Sequence, residues 1–299
     1  LKTVLVIGAS GFTGRHLCRQ IQNDGPELQT FSYRYGQDVR DYEQLLGCLR
    51  QTQPDQIHHL AGNATPGHLF SSRDVETRIF GTLNLMKAVR ESGSRAKIHI
   101  AGMGAEYDNS PGLSTIAESS LIRPRTLSAA ASHAAGQLAL TYGQAYGIPV
   151  VVTRAWPYTG VGQSNAHDLV HLVEQVALVE YGASPVVHLE RGDTYYCYQD
   201  VRDVVRAYRL VFIKKLEPGV YNIGSGYMDI LAGILLTLIG IADNHIPVEP
   251  SISTIRPKQP PPLVPDASMF MAMTGWEPEF QLSDTLRWML EYYRDEVAK

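Results

Sequence analysis

The sequence predicts an α/β fold, a doubly wound parallel sheet with a smaller C-terminal lobe, on three observations. Short β-branched runs alternate with amphipathic helical segments through the first half. The first run ends in the glycine-spaced turn Gly8-Ala9-Ser10-Gly11-Phe12-Thr13-Gly14. The 299 residues are enough for one large α/β core.

The elements follow in order. Thr3–Gly8 is a buried strand stopped by glycine, and Phe12–Asp24 is a helix ended by the breaker Asp24-Gly25-Pro26. Gln29–Tyr33 is the second strand. Asp41–Gln53 is helical and Pro54 ends it. Gln56–Leu60 is the third strand, and Arg73–Glu91 is a long helix closed by Ser92-Gly93. Lys97–Ala101 is the fourth strand. Thr126–Tyr146 is a helix closed by Gly147, and Pro149–Arg154 is the fifth strand. This succession requires a parallel sheet with helices on both faces. Beyond Trp156, helices Ala166–Tyr181 and Asp200–Ile213 alternate with strands Val186–Leu189 and Val220–Ile223. The apolar run Ile230–Ile241 is too short to span a membrane and reads as a core helix. A proline-rich loop, Ile255–Pro265, and two more helices complete the chain. Residues 1–160 form the sheet core and residues 161–299 a smaller substrate-binding lobe over the strands' carboxyl ends, interleaved with the core in one compact unit.

Composition narrows the function. The chain is 44% hydrophobic and 19% charged, with a net charge of −4 and no basic block, which argues against nucleic-acid binding. Cys18, Cys48 and Cys197 are odd in number and far apart. They predict neither a disulfide framework nor a zinc site, and they fit a reducing, cytoplasmic compartment. Leu1 leads directly into the first strand, with no secretory signal pattern expected there.

The glycine turn is the most specific motif. Gly8 permits the tight turn, Gly11 lets backbone N–H groups approach a pyrophosphate, and Gly14 lets helix and strand pack closely. Phe12, Thr13 and Arg15 open a helix whose N-terminus favours an anion. A strand before the turn and a helix after it are the context that marks a Rossmann-type dinucleotide site. The second strand ends at Tyr33-Arg34, with no acidic residue there for a ribose 2′-hydroxyl. Arg34 and Arg15 suit a 2′-phosphate instead, so NADP(H) is expected over NAD. Asp38 and Val39 can hold the adenine ring.

Together these residues resemble the extended short-chain dehydrogenase/reductase (NAD-dependent epimerase/dehydratase) family. Asp38-Val39-Arg40-Asp41, His59-Leu60-Ala61-Gly62 and Phe80-Gly81-Thr82-Leu83-Asn84-Leu85 follow its pattern. The second half looks like the GDP-sugar branch, GDP-mannose 4,6-dehydratase and GDP-6-deoxy-4-hexulose reductase. That likeness is carried by Gly160-Val161-Gly162-Gln163, Asp200-Val201-Arg202-Asp203, Arg256-Pro257 and Gly275-Trp276-Glu277-Pro278. The resemblance implies that Leu60, Ala61 and Gly62 border the cofactor and that Arg256 grips a sugar-nucleotide diphosphate, a task suited to a guanidinium fork. It also implies a homodimer formed through the helices Arg73–Glu91 and Thr126–Tyr146.

The family's chemistry needs a Ser or Thr after the fourth strand and a Tyr-x-x-x-Lys on the next long helix, a general acid–base set with a tuned tyrosine. In the register fixed by Arg123-Pro124 and Tyr146-Gly147, these positions hold Met103, Ser128 and Ser132. Serine hydroxyls need a neighbouring base, and none is evident nearby in sequence. His133 lies about 140° around the helix from Ser128 and is expected to point away from the pocket. Glu106, Tyr107 and Asp108 remain as weak catalytic candidates, Tyr107 with a structural role as its simpler reading. His167 and His171, one turn apart, read as packing or surface residues, so no metal site is expected. Other positions depart from the family too: Tyr196-Cys197-Tyr198, Gln259 and Trp156-Pro157-Tyr158. Trp156, Tyr158, Tyr196 and Tyr198 are candidate ligand contacts in a widened pocket.

Three readings stay open: a redox-silent NAD(P) binder or scaffold, a redox-neutral isomerase, cyclase or lyase on a non-sugar metabolite, and a GDP-sugar reductase or dehydratase with an unorthodox proton donor. Each takes a small-molecule ligand, a nucleotide sugar among the candidates, and none needs a membrane.

Overall fold

Alternation along the first strand divides the core. In β1 (Lys2–Ile7), Val4 and Val6 face one side of the sheet and Leu5 and Ile7 the other, all fully buried. The structure, a computed structural model, describes residues 2–33, 36–62, 71–108, 110, 115–190, 192–250 and 264–299. After β1 come α1 (Phe12–Asp24), β2 (Leu28–Tyr33), α2 (Tyr42–Thr52), β3 (Gln56–His59), α3 (Ser72–Ser92) and β4 (Lys97–Met103). A 3₁₀ turn (Gly104–Glu106) leads to β5 (Thr115–Ile116), α4 (Leu127–Tyr146), β6 (Val150–Ala155) and β7 (Tyr158–Thr159). The second half adds α5 (Asp168–Glu180), β8 (Val187–Leu189), β9 (Tyr195–Cys197), β10 (Gln199–Asp200), α6 (Val201–Ile213), β11 (Gly219–Ile223) and β12 (Met228–Ile230). It ends with α7 (Leu231–Ile239), β13 (Val248–Pro250), β14 (Val264–Pro265), α8 (Ser268–Thr274) and α9 (Leu282–Val297).

Six strands form the main sheet in the order β11-β6-β4-β3-β1-β2, all parallel. Helices α1 and α6 cover one face and α2, α3 and α4 the other, as a sheet buried on both sides demands. The helices begin where side chains satisfy their first N–H groups: Ser71 and Asp74 form a reciprocal capping box, and Asp41, Thr126 and Asp200 each accept a backbone N–H. From β1 the chain runs outward to β2 on one side and returns to β3 on the other. The divergence opens a crevice at the carboxyl ends of the strands, the place where such sheets bind ligands.

The strand expected over Val220–Ile223 is β11, which forms an edge of the main sheet, paired parallel with β6 from Gly219–Val151 to Ile223–Ala155. Helix α6 likewise packs beside α1 on one face of that sheet. Residues beyond 160 thus complete the core as well as building the lobe. The lobe's own core joins α5, α7 and α9 through Leu172, Val176, Ile234, Leu238, Leu286 and Met289.

The Asp200–Asp203 motif ties lobe to sheet. Asp203, fully buried, accepts the backbone N–H groups of Glu279 (3.0 Å) and Phe280 (3.2 Å), and Trp276 Nε1 donates to the Asp203 carbonyl (3.1 Å). Asp200 accepts Thr285 Oγ1 at 2.7 Å. None of the three cysteines forms a disulfide. Among the described residues no helix is long and apolar enough to cross a membrane.

Candidate functional site

The glycine turn is shaped by contacts a side chain would destroy. Gly8 has φ +88°, and a Cβ there would lie 3.1 Å from the Leu60–Ala61 peptide. A Cβ on Gly14 would lie 2.1 Å from the Gly8 carbonyl oxygen, so the first turn of α1 can press against β1 only without one. At Gly11 a Cβ would meet only the Gly8 oxygen, at 3.3 Å, which leaves the ligand side of the turn open. Open backbone at a helix N-terminus suits a diphosphate, so these residues fit a dinucleotide.

The other predicted cofactor residues fall into three groups. Phe12 stacks on Tyr158 (6.1 Å between ring centroids), and Thr13 Oγ1 shares a 2.8 Å hydrogen bond with the Tyr158 hydroxyl. Leu60 and Ala61 border Gly8, and Gly62 continues the same wall. Two charged residues are already engaged. Arg15 Nη2 donates to the Gly162 carbonyl (3.0 Å), which ties the cradle helix to the loop after β7. The Asp38 carboxylate accepts from Arg40 at 2.6 Å, and those hydrogen bonds hold it down at about 2. Val39 is buried beside Gly81. Arg34 lies outside the described residues.

Met103 ends β4, and Ser128 and Ser132 stand on α4, where Ser132 shares a small cavity with Ala61. Ser128 Oγ faces Met103 Sδ at 4.0 Å. Ser132 is buried, and its Oγ donates to Glu106 Oε1 at 2.8 Å. The Met103 N–H also donates to Oε1 (3.0 Å), while Arg154 Nε donates to Oε2 (2.7 Å). Burial opposes the charged form of Glu106, but contacts from His133, Arg154, Met103 and Ser132 outweigh it and keep the carboxyl below its ordinary range.

His133 is not among the residues that line the cavity at Ser132, and its Nδ1 lies 3.5 Å from Glu106 Oε2. No base stands near Ser132 in sequence, but in space Glu106 stands beside it. The 3₁₀ turn carries Glu106 against both residues, a contact that an angle measured from Ser128 along the helix does not contain.

Tyr107 and Asp108 hold the loop after β4. The buried Tyr107 hydroxyl donates to Asn222 Oδ1 (2.8 Å), and its ring stacks on Trp156 at 5.8 Å. Asp108 accepts from Ser110 Oγ (2.8 Å) and Arg125 (3.3 Å).

The four aromatics proposed to share one pocket are separated. Trp156 is buried, with its ring 2.6 Å from where a Gly104 Cβ would stand. Tyr158 sits at the cradle. Tyr196 and Tyr198 stack on each other (5.2 Å) in the lobe, and Tyr196 donates to Asp168. Of the four, only Tyr198 lines the cleft of about 370 Å³ that it shares with Asp200, Ser225, Tyr227, Phe280 and Thr285. Arg256 lies outside the described residues. Among the described residues no three His, Cys, Asp or Glu side chains cluster to hold a metal.

One residue the sequence did not single out also stands here. Arg78, in the middle of α3, is 8% exposed and lies across Gly62. With Ser132, Thr82, His59, Ala61 and Ala101 it lines a cavity of about 10 Å³. An arginine in mid-helix carries no sequence signal for burial.

A model of the NAD dependent epimerase/dehydratase family matches residues 4–224. GDP-6-deoxy-D-mannose reductase of Pseudomonas aeruginosa is 26% identical over 99% of this chain and 98% of its own length. The structure of RMD from Pseudomonas aeruginosa complexed with NADPH superimposes with a TM-score of 0.90 at 25% identity, covering 99% of this chain and 100% of that one. UDP-glucose 4-epimerase of Thermus thermophilus, in complex with NAD, gives a TM-score of 0.82 at 26% identity over 98% of this chain and 99% of that one.

Proposed function

The chain belongs to the NAD dependent epimerase/dehydratase family, and from that premise we propose that it binds NADP(H) in the glycine cradle without using it for hydride transfer. One observation carries this reading. The positions that the family resemblance assigns to its catalytic side chains hold Met103, Ser128 and Ser132, and the Ser132 hydroxyl is committed to a Glu106 carboxylate that Arg154 already neutralises. Bound NADP(H) would bring a hydride donor to this site. Hydride transfer to a carbonyl also needs a proton at the carbonyl oxygen, and losing a positioned general acid costs roughly 10²–10⁴-fold in rate. Tyr158 is a poor replacement. Burial raises its pKa despite hydrogen bonds with Thr13 and Tyr208, so the phenol is a weaker acid than an ordinary tyrosine.

Preference for NADP(H) over NAD is supported by Arg34 and by the absence of an acid at the end of β2, and a relative binds NADPH. Arg15, held by Gly162, supports it less than its sequence position suggests. The cleft beside Tyr198 has room for a small ligand such as a nucleotide sugar. Exposed Phe80 and Leu127 on α3 and α4 favour a homodimer through those helices. Three thiols without a disulfide fit a cytoplasmic setting.

The test mixes the purified protein with NADPH and a GDP-linked 4-keto-6-deoxyhexose and follows nicotinamide absorbance and sugar products together. Saturable NADPH binding with constant absorbance and unchanged sugar is expected. New product at constant absorbance would replace this reading with a redox-neutral enzyme. Consumption of NADPH would make the chain a reductase with an unorthodox proton donor.

A further inference from the structure

The first two side chains of α1 both rest on Tyr158 in β7. The Phe12 ring stacks on the Tyr158 ring with planes 17° apart, and Thr13 Oγ1 shares a 2.8 Å hydrogen bond with the Tyr158 hydroxyl. The loop that follows β7 holds the same helix twice more. The Gly162 carbonyl accepts from Arg15 at 3.0 Å, and the Val161 carbonyl stands 2.9 Å from His16 Nε2. No side chain caps α1, because the residue before it is Gly11. The first N–H groups of a helix have no intrahelical acceptor. Those of Phe12 and Thr13 keep their direction only if something else fixes the residues that carry them.

Tyr158 is itself fixed. Its backbone pairs with Gln199 of β10, and its hydroxyl also bonds Tyr208 on α6, which in turn bonds Thr153 on β6. Thr153 Oγ1 lies 2.8 Å from His99 Nε2 on β4, and His99 Nδ1 lies 3.0 Å from His58 Nδ1 on β3. Hydroxyls and neutral imidazoles both donate and accept, so each can serve two neighbours. Tyr208, Thr153, His99 and His58 are at most 1% exposed, and the two imidazoles pack against Phe212 and Tyr208 of the apolar layer under α6. Polar groups joined in this way rigidify a core, because breaking any one bond leaves a group with no water to replace it. The run ends at the hydroxyl that holds Thr13.

We propose that Tyr158 is a positioning residue of the dinucleotide cradle. It acts through Thr13 and Phe12, holding the first turn of α1 where its N–H groups meet a diphosphate, and it needs no contact with the ligand. The proposal rests on the dinucleotide reading above. It also accounts for four polar side chains in an apolar layer: they fix the phenol that fixes the turn.

The experiment compares wild type, Y158F, T13V, T13S and the double variant T13V/Y158F for NADPH affinity, with NADH as the control. Y158F and T13V should each weaken NADPH about 3–10-fold, the scale of one hydrogen bond. The double variant should bind no more weakly than either single one, since all three lack the same bond. T13S keeps a hydroxyl within reach of Tyr158 and should bind as wild type does. Wild-type affinity in Y158F or T13V would overturn this inference and leave the dinucleotide reading standing. Losses that multiply in the double variant would overturn it too, and so would a T13S as weak as T13V, since either would separate the loss from the shared bond. If Y158F does not fold, T13V against T13S gives the same decision. A wild type that binds neither NADPH nor NADH would overturn both readings.

Discussion

Replacing Glu106 with glutamine keeps the shape of the side chain and removes one charge from a buried group of contacts. The carboxylate sits 2.7 Å from Arg154 Nε, and the two side chains are 1% and 7% exposed. It also accepts from Ser132 and the Met103 amide at 2.8 and 3.0 Å. Removing one partner of such a pair leaves the other charge buried and uncompensated, a loss of about 3–5 kcal/mol. For a chain of this length each kcal/mol lowers the melting temperature by about 2 °C, so E106Q should melt about 6–10 °C below wild type. Far-ultraviolet circular dichroism during heating and urea unfolding reads this directly. The double variant E106Q/R154M should recover most of the loss, because apolar side chains of similar volume replace a buried pair at little cost. The folded pKa of Glu106 lies below the unfolded value, so the folded chain binds fewer protons there. The stabilisation is therefore present above the unfolded value of 4.5 and is lost as pH falls through the folded pKa. The deficit of E106Q should shrink over that acid range. A variant that melts within about 1 °C of wild type at neutral pH would refute the electrostatic reasoning. Normal stability combined with loss of a catalysed reaction would turn Glu106 into a working base.

Three further outcomes are expected. Burial lowers His59 to about 4 and His99 to about 3, so the unfolded chain takes up protons below 6.5 that the folded chain refuses. Their stabilisation is complete above 6.5 and is lost as pH falls, by about 2 kcal/mol for each histidine between pH 7 and pH 5; urea midpoints at the two pH values check it, and a flat profile would contradict it. Gly11→Ala should cut NADPH affinity about tenfold or more while melting near wild type, since its Cβ meets only one protein atom and otherwise enters the ligand's side of the turn. Phe80→Glu places a charge on the exposed face of α3 and should convert a homodimer to monomer in light scattering; a monomeric wild type would remove the dimer from the account.

What could be read from the sequence follows from how local each cause is. The β1 strand, the glycine turn and the first six elements were legible because period, caps and breakers act within a few residues. The place of β11 was not, since its pairing with β6 joins residues 219–223 to 151–155 and no local pattern specifies that partner. The candidate site divides in the same way. Gly8, Gly11 and Gly14 stand where their spacing put them. The contacts of Ser132 and His133 with Glu106 cross 26 and 27 residues of chain and depend on how a 3₁₀ turn meets a helix. Trp156 and Tyr158, two residues apart, leave the end of β6 in different directions, one into the core and one to Thr13, so shared aromatic character did not make a shared pocket. Arg78 was invisible because mid-helix arginines are ordinarily solvated.

The central claim is a working dinucleotide cradle in a chain without a positioned proton donor. It is tested most directly by titrating the protein with NADPH, reading energy transfer from its tryptophans to the nicotinamide, and then adding the keto-sugar nucleotide to the same sample. The account predicts saturable transfer at micromolar NADPH, with nicotinamide absorbance that stays constant after the sugar is added. Absence of transfer with both NADPH and NADH, or steady loss of absorbance once the sugar is present, would contradict it.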